Sequence, residues 1–114
     1  MENKFIHDIR PWGSFVQFTS NEVSTVKIIS VDANGILSRQ RHRQREELWV
    51  MLDDGMMVEI DGNVIFPKNG EHVFISKGSV HRLSSETGGR VLEISFGHFD
   101  ENDIERLEDA YSRK

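Results

Sequence analysis

Turn dipeptides punctuate this chain at short, nearly even intervals. Asn34-Gly35, Asp54-Gly55, Asp61-Gly62 and Asn69-Gly70 are followed by Gly88-Gly89. Both central residues of a type I′ turn need positive φ, so Asn-Gly and Asp-Gly are the strongest short hairpin signals. The runs between them are short and rich in β-branched and aromatic residues: SFVQF, STVKIISV, ELWVML, MMVEI, NVIF, EHVFI, SVHRL and RVLEISF. Many short strands separated by turns point to an all-β sandwich or barrel. A length of 114 residues suits one domain. With two prolines, no repeat and no low-complexity tract, nothing in it reads as a linker.

The tail has a different rhythm. In DENDIERLEDAYSRK, Ile104, Leu107, Ala110 and Tyr111 recur at helical spacing. Asp100 can cap the start, and Glu101 and Asp103 suit the positive end of the helix dipole. Arg113 and Lys114 suit the other end. The spacing predicts a short amphipathic helix over 100–112, packed outside a β domain spanning 10–99 of a single 1–114 domain.

Charge and composition narrow the partners. Lys and Arg number 14 against 19 Asp and Glu, a net charge of -5. An acidic chain is a poor general ligand for phosphate backbones, so no nucleic-acid partner is expected. Cysteine is absent, which removes disulfides and thiolate metal sites and leaves His, Gln and carboxylates as possible ligands. MENKFIHDIR has no apolar signal-peptide core. No apolar run approaches the roughly 20 residues of a membrane span. A soluble cytoplasmic protein is expected.

One local stretch stands against that acidic background: SRQRHRQREELWVMLDDG, Ser38 to Gly55, with arginine at 39, 41, 43 and 45. Taken as a strand, its side chains alternate faces. Arg39, Arg41 and Arg43 then form a solvated outer face. Gln40 and His42 share the inner one, about 7 Å apart along the backbone and close enough to meet on one ion. The next strand starts at Glu47 and turns Glu47, Trp49 and Met51 inward. In GEHVFISKGSVHRL, Gly78 makes a turn and His81 follows. Each of these polar residues alone is an ordinary strand residue.

Together they form G-x4-Q-x-H-x4-E and G-x5-S-x-G-x2-H, which resemble the paired motifs of the cupin superfamily. That superfamily's usual pattern is H-x-H-x3-4-E followed by P-x-G-x2-H. Here Gln40 replaces the first His and Ser76 replaces the Pro. A Gln, His, Glu, His set resembles the zinc site of phosphomannose isomerases. RPWGSF, Arg10 to Phe15, is similar to the opening R-P-W-G-[ST]-[YF] of the type II phosphomannose isomerase cupin domain. LSRQRHRQREELWVML is similar to that family's L-S-x-Q-x-H-x-x-R-x-E-x-W-x-V, matching at Leu37, Ser38, Gln40, His42, Arg45, Glu47 and Trp49. SKGSVHRL resembles P-x-G-x-x-H-R. NDIERLEDAYSR resembles D-I-x-R-x-E-D-x-Y-G-R, with Ser112 in place of the Gly.

The resemblance implies a single-domain cupin β-barrel, a double-stranded β-helix or jelly roll, with a homodimer as the frequent assembly. It implies a divalent metal, zinc first, held by Gln40, His42, Glu47 and His81. It implies a metal-dependent aldose–ketose isomerase that interconverts mannose 6-phosphate and fructose 6-phosphate. Type II enzymes carry this domain behind a mannose-1-phosphate guanylyltransferase domain with a Gly-rich nucleotide loop. These 114 residues hold neither, so nucleotidyl transfer is not expected of them. Two rivals are a sugar-phosphate-binding or regulatory module without catalysis and a different cupin sugar-modifying enzyme.

Roles follow for the remaining polar residues. Glu93 is an acid in a run that otherwise reads as a buried strand, and a buried carboxylate is costly unless paired or used. It is the first candidate for general base, with Lys77 and His98 as competitors. Arg45 matches a motif position and is expected near the mouth, gripping a sugar phosphate. Arg10 and Arg82 are further phosphate candidates. Trp12 is expected in the core or, as a substrate-binding candidate, at the pocket edge, and Trp49 in the core.

Overall fold

Asp61 and Gly62 both have positive φ, 48° and 86°, the conformation that makes a two-residue turn match the twist of the strands it joins. They close the hairpin between β7 (Met56–Ile60) and β8 (Asn63–Ile65). The structure is a computed structural model that describes residues 5–100, 102–109 and 111. Among those residues there are twelve strands and no helix. β1 (Ile6–Arg10) and β2 (Gly13–Gln17) pair only with each other. β3 (Ser24–Val31), β11 (Gly89–Phe96), β6 (Glu46–Met51) and β9 (His72–Ile75) form a four-stranded sheet in that order. The other sheet runs β12 (Glu105–Glu108), β5 (Arg39–Arg41), β10 (His81–Ser85), β7, β8, and β4 (Gly35–Ile36) also pairs with β10.

The core lies between these two sheets. Val31, Trp49, Met51, Val73, Ile75 and Val91 come from the four-stranded sheet; Met56, Val58 and Leu83 come from the other. β6 is buried along its whole length, because both its faces are covered. Trp49 and Met51 point into the core. Leu48 points outward, into a second cluster with Ile94, Phe96, Phe18 and Phe74. That leaves Glu47 on the inward face, as the two-residue period required.

Two expectations fail here. The sheets are not closed into a barrel: β12 and β8 end one sheet, β3 and β9 the other. Two facing sheets bury the alternating apolar positions without closure. The helix expected over 100–112 is not there either. Residues 101, 110 and 112 lie outside the described residues, and Glu105–Glu108 is extended and pairs with Arg39–Arg41. Helix propensity is a weak prior, and an isolated helix of about a dozen residues is marginal. The arginine strand offers more: Glu105 bonds Arg41 at 2.7 Å, and Glu108 bonds Arg39 and Arg82. A carboxylate at each end of β12 thus answers an arginine on its neighbour.

Leu83 is fully buried at the centre of β10. Leu83→Ala is expected to lower unfolding free energy by about 3 kcal/mol, read from urea midpoints. A loss under about 1 kcal/mol would mean that the sheets do not share one core.

Candidate metal centre

Three donors converge between the sheets. Each of His42, Glu47 and His81 is buried, with relative exposures of 3%, 1% and 0%. One donor atom from each lies within 4.8 Å of the other two. Glu47 comes from β6, His81 opens β10, and His42 sits just past β5. His81 is delivered by the turn at Gly78, whose φ is +78° and whose amide donates to the His42 carbonyl at 2.8 Å.

Backbone carbonyls orient both rings. His42 Nδ1 lies 2.6 Å from the Asp103 carbonyl and His81 Nδ1 lies 3.0 Å from the Ser79 carbonyl. A carbonyl can only accept, so each Nδ1 carries the hydrogen and each Nε2 is left to act as a donor atom toward an ion. The Nε2 atoms face Glu47, at 3.6 Å from Oε2 for His42 and 3.8 Å from Oε1 for His81. Burial pushes His81 below the ordinary histidine value, against the Ser79 carbonyl and Glu47. Its Nε2 is buried without a hydrogen-bond partner. An unpartnered basic nitrogen facing a carboxylate and a second imidazole fits a divalent ion, and two imidazoles with one carboxylate suit a first-row metal.

Residues 2–109 match the family described as Mannose-6-phosphate isomerase C-terminal. The chain belongs to this family. Alginate biosynthesis protein AlgA of Pseudomonas syringae pv. tomato is 36% identical over 107 residues, which is 91% of this chain and 22% of that protein. Mannose-1-phosphate guanylyltransferase ManC of Salmonella typhimurium is 34% identical over 109 residues, with the same coverage of 91% and 22%. The chain therefore spans about a fifth of the length of these curated relatives. Among solved structures, a 3,4-ketoisomerase from Helicobacter canadensis superposes with a TM-score of 0.71 at 18% identity, covering 91% of this chain and 86% of that one. An RmlC-like cupin from Shewanella frigidimarina superposes with a TM-score of 0.64 at 14% identity, covering 89% of each. The fold is that of a cupin.

Other expected residues of this family member are placed unevenly. Gln40 stands directly opposite His81 across β5 and β10, on the same face, and its Oε1 accepts from Ser38 Oγ at 2.6 Å. Glu93 lies on the inward face of β11, 5% exposed. Ser95 lies 3.3 Å from Glu93 and 3.4 Å from Glu47, between the two carboxylates. Lys27 approaches Glu93 at 3.6 Å. Arg45 is not at a mouth; it is 6% exposed and bonds Glu47 at 2.9 Å. Arg82 points to the outer face, bonded to the Leu37 carbonyl and to Glu108. Arg10 and Trp12 are exposed at the β1–β2 hairpin, Arg10 paired with Asp8 at 3.0 Å and Trp12 74% exposed rather than in the core. Lys77 is exposed in the turn beside Gly78. A groove of about 900 Å³, edged by Ile36, Met57 and Phe66, is lined by none of these residues.

Sequence reasoning missed Ser95, Lys27 and Asp103. The side chain of Asp103 accepts from the Arg43 and Gln44 amides, both at 2.9 Å, and so ties down the loop that carries His42. Ser95 had a signal, since E-x-S on one strand puts both side chains on one face. Lys27 and Asp103 had none, because each reaches its partner, Glu93 or His42, only through pairing between strands far apart in the chain.

Burial, followed by the Glu47 carboxylate, pushes Glu93 up from 4.5 to about 7, against Lys27, Arg45 and Ser95. Below the unfolded value both states hold the proton and Glu93 adds no pH-dependent cost. Between about 4.5 and 7 the folded chain holds a proton that the unfolded chain has released. Stability therefore falls as pH rises through that window, by about 3 kcal/mol, and then levels off. In EDTA, Glu93→Gln is expected to remove this loss, so that its urea midpoint gains on wild type between about pH 4.5 and 8. Parallel pH profiles for the two proteins would contradict it.

Proposed function

We propose that this chain is a metal-dependent aldose–ketose isomerase that interconverts mannose 6-phosphate and fructose 6-phosphate. The observation that carries this reading is the buried His42, Glu47 and His81 cluster beside a second buried carboxylate, Glu93, joined to it through Ser95. Membership of the mannose-6-phosphate isomerase C-terminal family supports it.

His42, Glu47 and His81 would hold the ion, zinc in this reading, with Gln40 Oε1 as fourth donor through the lone pair that Ser38 leaves. A bound divalent ion supplies charge stabilisation for the oxygens of an enediolate. Glu93 is the general base. Its ionised form takes the proton from C2 of the aldose and its protonated form returns it to C1, while a hydroxyl proton moves from O2 to O1. A carboxyl raised toward neutral pH is matched to both halves of that task. Lys27, 3.6 Å away, supports the ionised form, and Ser95 holds the carboxylate's orientation. Lys77, at the turn beside His42, is the candidate second proton carrier at the site's rim. Arg10 is the exposed cation proposed to meet the phosphate, because Arg82 already serves Glu108.

Zinc-loaded protein is expected to turn over mannose 6-phosphate in a coupled assay. EDTA or His81→Ala should abolish turnover. Glu93→Gln should lower kcat by about 100-fold or more while zinc content stays at the wild-type level. A zinc-bound wild type without turnover would sink the reading for this substrate.

A further inference from the structure

Arg45 makes more contacts inside the cluster than a distant support would need. Its Nε donates to Glu47 Oε2 at 2.9 Å, and its Nη2 lies 3.3 Å from His42 Nε2. Nη1 donates to the Asp100 carbonyl at 3.2 Å, and the guanidinium carbon sits 4.5 Å above the Phe99 ring. Glu47 Oε2 is the same oxygen that faces His42. The guanidinium therefore addresses two of the three donors on the atoms that face one another.

The chemistry of these atoms forbids a shared arrangement. A guanidinium only donates, and an imidazole nitrogen has a single lone pair. His42 Nε2 can accept from Arg45 or bind an ion, but not both. An arginine side chain stays charged in proteins, so the hydrogen on Nη2 is not given up to make room. Its fixed positive charge balances Glu47 in a buried place, where an unpaired carboxylate would be costly.

We infer that Arg45 is a built-in counter-cation of this centre, competing with the divalent ion for His42 Nε2 and Glu47 Oε2. The inference rests on the metal site proposed above. Arg45 keeps His42 and Glu47 together and balances the carboxylate's charge, and it lowers metal affinity. Binding of an ion requires Nη2 to leave His42.

The test is a zinc titration against a fluorescent chelator on wild type, Arg45→Met, Arg45→Lys and His42→Ala, each first stripped with EDTA. Arg45→Met is expected to bind zinc about tenfold tighter than wild type, the equivalent of one competing hydrogen bond removed. Arg45→Lys keeps the charge but cannot reach both donors, so it should gain less. In EDTA the thermal midpoint of Arg45→Met should fall, and zinc should raise it by more than it raises wild type. Should Arg45→Met fail to fold, a gain of a few-fold in Arg45→Lys supports the inference in its place. Zinc binding that depends on His42 but is no tighter in either Arg45 variant would overturn this inference and leave the metal site standing. Binding in wild type and both Arg45 variants no better than in His42→Ala would overturn both.

Discussion

The buried carboxylate of Glu47 is the constraint around which the rest of the structure is arranged. It is 1% exposed at the centre of a sandwich, where a carboxylate without partners would be untenable. Its partners come from four places in the chain. Trp49 Nε1 donates to Oε1 at 3.2 Å, Arg45 donates to Oε2, Ser95 approaches from β11, and His42 and His81 face it from the opposite sheet. The register between β6 and β11 sets Ser95 directly across from Glu47. A shift of one residue would turn Glu47 into the outer apolar cluster and Leu48 into the site. The alternation that builds the core thus also selects the candidate ligand.

The outer face of the six-stranded sheet shows the same logic with opposite charge. Arg39 bonds Glu59 at 2.8 Å and Glu108, Arg41 bonds Glu105, and Arg43 reaches Glu105 at 3.3 Å. Alternation alone predicted that these arginines face away from Gln40. What it missed was that they have partners, and that two of those partners belong to a segment that read as a helix. Its apolar period of Ile104, Leu107 and Ala110 is local information. The decisive fact, an arginine strand with an open edge, lies 64 residues earlier for the Arg41–Glu105 pair. Once β12 docks there, Asp103 is carried to the loop of His42, so a surface ion-pair grid ends up positioning a buried ring.

Legibility in the sequence follows the range of the forces involved. Hairpins such as Asp61-Gly62 were legible because two backbone dihedrals decide them. Three metal-ligand candidates were legible because each sits at a fixed offset on a strand or turn: His42 past β5, Glu47 on the inward face of β6, His81 after the Gly78 turn. Arg45 was misplaced because the same side chain that can fork onto a phosphate can fork onto a carboxylate. Only the burial of Glu47 decides between those uses, and burial is a property of the assembled sheets. The core reading of Trp12 failed for a related reason. It belongs to a hairpin that pairs with neither large sheet, so no apolar face is there to receive it.

Glu47 and Glu93 occupy one face of adjacent strands, and their environments pull them apart. Arg45, a permanent cation, is bonded to Glu47 directly. Glu93 has Lys27 at 3.6 Å, on a side chain that is 41% exposed, shares Ser95 with Glu47, and feels the charges of both Glu47 and Arg45. Two carboxylates that close compete for stabilisation. Glu93, buried beside the Glu47 carboxylate and without a guanidinium bonded to it, is driven to retain a proton. This division is the physical ground for the proposed roles, metal ligation for Glu47 and proton transfer for Glu93. It also makes the two roles interdependent. If Arg45 draws back from Glu47 when an ion binds, the positive charge facing Glu93 becomes the ion's. The proton affinity of Glu93 would then track the occupancy of the proposed centre, and a base at Glu93 would be poised only where the candidate ligands are in use.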